Sequence, residues 1–177
     1  MNLNRSDTTF RGVPLVCFYR IVKNYESMVK EFDKANRIKE FRFIEKKPTR
    51  SIVYVRSKAG ALASDRENLI ETNVYKMEGE FAGRYLMIGK SIERDDVPVA
   101  KGCIRMEQFK ASMMWNDDQG DMHITEFSSF DLKGYFPKAL LNMVMSSMAQ
   151  QSVKQFHAKM KEVKVQIEKE KEEGTYE

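Results

Sequence analysis

The stretch Phe130-Asp131-Leu132-Lys133-Gly134-Tyr135-Phe136-Pro137-Lys138 is where this chain changes its period. Upstream lie short runs rich in β-branched and aromatic residues, broken by turn residues, which is the pattern of antiparallel strands. Downstream, from Pro137, apolar residues recur at helical spacing for about nine turns. The pattern gives way to Lys/Glu repeats that stop near Gly174. Leu141, Val144, Met145 and Met148, continued by Phe156, Met160, Val163 and Ile167, fall on one stripe of that helix. A helix with one apolar stripe needs an apolar surface to lie on, and the strands ahead of it supply one.

Working back towards the N-terminus, residues 122–130, 113–116 and 102–111 read as strands, the first two separated by the acidic turn Asp117-Asp118-Gln119-Gly120. Residues 84–92 and 68–77 read as a hairpin about a long turn, and residues 51–55 pair with the run Phe41, Phe43, Ile44 across Lys46-Lys47-Pro48-Thr49. Helical spacing returns over residues 14–36, with Pro14 suited to a first turn. The order is helix, about seven strands, long helix, which predicts an α+β fold without βαβ crossovers. Residues 1–177 read as one domain, with residues 1–9 a tail and 172–177 flexible.

Composition narrows the classes of function. Hydrophobic residues make up 42% and charged residues 32% of the chain, too apolar a mixture for disorder. The longest uncharged stretch, residues 139–153, is interrupted by polar side chains and falls short of the roughly 18 residues of a spanning helix. Cys17 and Cys103 have no metal-ligand spacing, and nothing resembles a signal peptide, so the cytoplasm is the expected compartment. His123 and His157 have no cysteine or carboxylate at ligand spacing, and there is no Gly-rich phosphate loop or nucleophile motif. Asp117, Asp118 and Asp121 lack the pattern of a calcium loop and read as a solvated turn. No catalytic residue, metal or cofactor is expected. Residues 1–60 carry 14 Lys/Arg against 6 Asp/Glu, net +8, leaving −4 for the remainder. Such a basic segment suits an anionic surface, or is simply a set of solvated faces; no nucleic-acid partner is expected.

Lys101-Gly102-Cys103-Ile104-Arg105-Met106-Glu107 resembles the KGxIRxE strand of the START family of lipid-transfer domains. Asp131-Leu132-Lys133-Gly134-Tyr135-Phe136-Pro137-Lys138 resembles the family's DLKGxxPK segment, and the spacing between the two is similar. The likeness is specific over residues 83–163 and weaker over 13–66, where Asp65-Arg66-Glu67 resembles an Arg-Asp element of the family. The resemblance implies a helix-grip fold: a sheet wrapped around a cavity for one lipid, gated by the last helix and by the loop of residues 94–100. Family domains carry a further helix and strands ahead of Pro14, so the resemblance also implies an abbreviated N-terminus. The acidic residue and arginine of the sterol-binding members fall here on Val53 and Thr72, so that pair is absent.

On this reading the sheet lines the cavity with Val53 and Val55, with Ile70 and Thr72, with Met87 and Gly89, and with Phe127 and Ser129. Val53 and Val55 share a face because alternate residues of a strand do. The helix contributes Leu141, Val144, Met145 and Met148. Its methionines either line a cavity of variable contents or fill a core. Arg105, in an apolar strand, needs a partner: Glu107, Glu71 or Asp131, or else a lipid hydroxyl or phosphate. Val97 and Val99 with Leu140 and Met143 are expected to form an exposed apolar patch that docks transiently on a membrane surface. The expected activity is non-catalytic lipid binding and transfer by a monomer. The alternatives are a cyclase-like enzyme on the same scaffold, or an interaction domain with a filled cavity.

Overall fold

The computed structural model describes residues 3–23, 38–58, 63–134 and 138–176, without the side chains of Lys23 and of residues 138–152. In chain order the elements are β1 (Asn4–Phe10), α1 (Leu15–Lys23), β2 (Ile38–Lys46), β3 (Arg50–Ser57), β4 (Asp65–Lys76), a 3-10 turn at Gly79–Phe81, β5 (Tyr85–Ser91), β6 (Cys103–Arg105), β7 (Glu107–Asn116), β8 (Met122–Asp131) and α2 (Lys138–Glu172). The strands form one curved sheet in the order β1-β8-β7-β5-β4-β3-β2, and β6 lies in parallel beside the start of β4. Sheet and terminal helix together make the helix-grip fold.

Two expectations are corrected here. Residues 4–10 are not a tail: they form an edge strand, antiparallel to β8 from Asn4↔Ser128 to Phe10↔Met122. Their exposed polar side chains hid them, because a strand at an edge needs no apolar alternation. The expected break at Ser112 is also absent, since β7 pairs with β8 without interruption from Glu107 to Asn116. The break falls instead at Met106, where the strand leaves β4 for β5. The helical expectation for residues 14–36 is met over Leu15–Lys23; its remainder lies outside the described residues.

Unbroken registers sort the side chains into two faces. Phe10 and Met122 pack with Val13, Cys17 and Ile21 of the α1 region and with Met160, Val163 and Ile167 of α2, so their side of the sheet is the inner one. The C-terminal end of α2 is further fixed by the Arg20–Glu170 ion pair at 2.6 Å and by Tyr176, whose ring lies under the Arg20 and Lys171 cations. On the outer face, Ile52, Tyr54 and Leu69 make a second dry cluster, closed by Val97.

The turn from β8 towards α2 is held by side chains as well as by backbone. Asp131 Oδ1 accepts the Lys133 amide at 2.9 Å, and the buried Arg66 guanidinium donates to the carbonyls of Leu132, at 2.8 Å, and Lys133, at 3.1 Å. Burial draws the Arg66 pKa below its ordinary value. Gly134 has φ +63°, and a Cβ there would stand 2.9 Å from Ile104 Cδ1. Replacing it with valine therefore adds strain and a clash at once. Gly134→Val is expected to lower unfolding stability by about 1–3 kcal/mol, read as a shift in the urea midpoint; an unchanged midpoint would show that the turn absorbs the change.

Candidate functional site

The inner face carries a continuous field of half-buried side chains between β3 and β8. Register builds it strand by strand: Val53 opposes Ile70, Thr72 opposes Gly89, Val74 opposes Met87, and Val55 opposes Asn68. From β5 the same face passes to β7 and β8 through Met87↔Ser112, Gly89↔Lys110, Ser112↔Glu126 and Lys110↔Ser128. Beyond it, towards α1, Met114 and Ile124 lead into the cluster sealed by α2. Thus Val53, Val55, Ile70, Thr72, Met87 and Gly89 are brought together on the helix side of the sheet.

Four sheet and loop residues fall elsewhere. Phe127 and Ser129 alternate with Glu126 and Ser128 and so lie on the outer face, where the Arg5 guanidinium covers the Phe127 ring. A one-residue shift of register exchanges the whole set of inward side chains, which is why the expectation took the wrong alternate residues of β8. Arg105 also belongs to the outer face. It pairs with Glu67, at 2.8 Å from Nε and 2.6 Å from Nη2, and donates to the Val97 carbonyl at 3.0 Å. The carboxylates expected for it are engaged elsewhere: Glu71 by Arg50, and Glu107 and Asp131 by Lys133. The fourth is Val97, which is 3% exposed and packs on Ile52, Tyr54 and Leu69 rather than joining a surface patch. Val99 is 53% exposed.

The loop of residues 94–100 is therefore fastened to the outer face, away from the field that it was expected to gate. Glu67, 1% exposed, is its anchor. The carboxylate accepts from the Tyr54 hydroxyl at 2.9 Å and the Ala100 amide at 3.1 Å as well as from Arg105. Burial, with the Glu67 hydrogen bond adding to it, pushes the Tyr54 phenol well above its usual pKa. Leu140, Leu141, Met143, Val144, Met145 and Met148 lie on the helical backbone of α2, but their side chains are outside the described residues.

Among the inner-face residues that sequence reasoning missed are Lys110, Ser112 and Glu126. Lys110 Nζ stands 2.5 Å from Glu126 Oε2, and Ser112 Oγ donates to the same oxygen at 3.3 Å. Their strand reads inverted, with Phe109, Ala111, Met113 and Trp115 pointing outward and Gln108, Lys110 and Ser112 inward. The only available signal was a lysine and a glutamate, on neighbouring strands, both inward once the register is known. Among the described residues no group of three or more His, Cys, Asp or Glu could hold a metal ion, and no helix is long and apolar enough to cross a membrane.

The family description START domain matches residues 36–166. Among solved structures, human STARD10 superposes with a TM-score of 0.76 at 16% identity, covering 94% of this chain and 66% of its own. Human StAR-related lipid transfer protein 5 gives 0.69 at 20%, covering 92% and 74%. The Zhui aromatase/cyclase from Streptomyces sp. R1128 gives 0.57 at 9%, covering 92% and 93%. At these identities the structures speak to the fold. No curated protein matches the chain by sequence.

Glu67 is the buried partner of a largely buried cation, 13% exposed, and removing one member of such a pair leaves the other uncompensated. Glu67→Gln is expected to cost about 3–5 kcal/mol, measured by urea denaturation, and to open residues 94–100 to limited proteolysis. A variant as stable as the parent would remove Glu67 from its anchoring role.

Proposed function

The chain belongs to the START domain family, and we propose that it binds one hydrophobic lipid between the inner face of its sheet and α2, and carries it between membranes without chemically changing it. One observation carries this reading: on the inner face Val53, Val55, Ile70, Val74 and Met87 stay half-buried, whereas the apolar cluster under α2 and the one under Val97 on the outer face are fully buried. Apolar side chains in such a field gain about 25 cal/mol per Å² when a ligand removes them from water. Lipid therefore finishes burial that the polypeptide leaves incomplete.

Exchange then requires α2 to move. Its C-terminal half is pinned through Met160, Val163, Ile167 and Glu170. Opening on this proposal belongs to residues 138–152, with Leu141, Val144, Met145 and Met148 against the ligand. The loop of residues 94–100, tied to Glu67, serves as fixed wall rather than gate. Val99 with Leu140 and Met143 would touch the bilayer during exchange, and the basic N-terminal segment would favour an anionic surface. The protein would act as a cytoplasmic monomer with transient membrane contact.

A catalytic reading on the same scaffold needs an acid or base on the inner face, and Glu126 is a carboxylate in that position. Native mass spectrometry separates the two. The protein, purified from a lipid-containing host, is expected to carry one lipid that is returned with unchanged mass after incubation; absence of any lipid would sink the binding reading, and a changed mass would favour the enzyme. Docking has its own test. Val99→Glu combined with Met143→Glu is expected to slow lipid transfer between anionic vesicles several-fold more than it weakens lipid binding, and transfer at the parental rate would overturn the docking role.

A further inference from the structure

On an inner face that carries apolar side chains and the hydrogen-bonded, uncharged Asn68, Ser91 and Gln108, Lys110 and Glu126 form a charged pair with Ser112 beside it. Apolar pairs flank them: Val53 with Ile70 on one side, Val74 with Met87 beside Ser112, and Met114 with Ile124 beyond. The Lys110–Glu126 pair joins β7 to β8, two strands already held by an unbroken ladder, so it fastens no loose element in the way Glu67 fastens the loop. A partly buried ion pair is also no source of stability in itself, since desolvation offsets its attraction. Opposite Lys110 on β5 stands Gly89, which presents no side chain to cover the ammonium; its nearest side-chain neighbours are Thr72 and Ile70. Ser112 is 1% exposed, whereas Lys110 and Glu126 keep part of their surface open. The pair is thus backed by a buried hydroxyl and partly open on the inner face of the sheet.

We propose that Lys110, Glu126 and Ser112 form the polar-group site of this chamber and select a lipid whose polar end is an uncharged hydroxyl. The proposal rests on the lipid-binding reading above and adds the ligand class to it. A hydroxyl can donate to the Glu126 carboxylate and accept from the Lys110 ammonium at once, leaving their attraction in place. An anionic end meets the Glu126 charge beside its intended partner, and a cationic end meets Lys110. Each brings like charges together in a poorly screened space.

The test uses the full chain with Nile red as a neutral reporter, displaced at pH 7 by tetradecanol, tetradecanoate or tetradecyltrimethylammonium below their aggregation concentrations. The parent protein is expected to release Nile red at about tenfold lower concentration of the alcohol than of either ion. Ranks are read within each protein, so a change in its own Nile red affinity does not matter. Glu126→Gln leaves Lys110 without its counter-charge and is expected to move the anion to first place; Lys110→Met is expected to move the cation there. Equal ranking of the three by the parent, a test that needs no variant, overturns the proposal. So does an alcohol preference that survives in a folded form of either variant. A parent protein that takes up no Nile red overturns the lipid-binding reading itself, and this site with it, which is a different result from uptake without discrimination.

Discussion

The carboxylate of Glu67 ties the β3–β4 hairpin to β6 and to the loop of residues 94–100, which no hairpin joins to it. It accepts from Tyr54 on β3 and Arg105 on β6 and from the Ala100 amide at the end of the loop, while its own strand, β4, is paired on both sides. A buried carboxylate is tolerable only when its hydrogen bonds and charge are met, so this arrangement forms together or not at all. Its position next to Leu69 also keeps Val97 against Ile52 and Tyr54, which gives the outer face a dry layer of its own. That layer lies on the opposite side of β3 and β4 from Val53, Ile70 and Thr72, which stay half-buried. Burial missing from one side of the sheet is replaced on the other, and at the end where α1 and α2 close on Met122.

A lipid chamber asks two opposite things of one helix. It must stay attached, and it must come away. The described contacts of α2 hold its C-terminal end: Met160, Val163 and Ile167 lie in a core, Glu170 is paired with Arg20, and Tyr176 is stacked beyond the last turn. On the proposed function, opening would then belong to the other end of the helix.

The parts of the fold legible from sequence were those governed by local periodicity. Ile52, Val53, Tyr54 and Val55 announce a strand, and Phe156, Met160, Val163 and Ile167 announce the buried stripe of a helix, because burial on one side imposes a repeat. Asn4–Phe10 imposes none, being an edge strand with little burial, and its partner β8 is more than a hundred residues away. Arg105 was recognisable as needing a carboxylate. That the partner is Glu67 depends on the parallel contact of β6 with β4, which neither segment signals. Of the expected lining, the residues on β3, β4 and β5 share the inner face, because Val53 fixes the phase and the hairpins transmit it. On β8 the phase is lost: Phe127 points outward, and the polar Lys110 and Glu126 occupy the inside. Hydrophobicity assigns faces correctly only where the inside is apolar, so it fails at the residues a ligand's polar end would need.

The half-buried row running from Val53 and Ile70 to Met87 also bears on the lifetime of the protein. When ligand binds only the folded form, it adds RT ln(1 + [L]/Kd) to the unfolding free energy, about 2.7 kcal/mol at a hundredfold excess over Kd. Were lipid to complete that row, as proposed, the ligand-free protein would be the conformer most exposed to proteases and chaperones. Abundance of the polypeptide would then follow the supply of its lipid, with no separate sensor required.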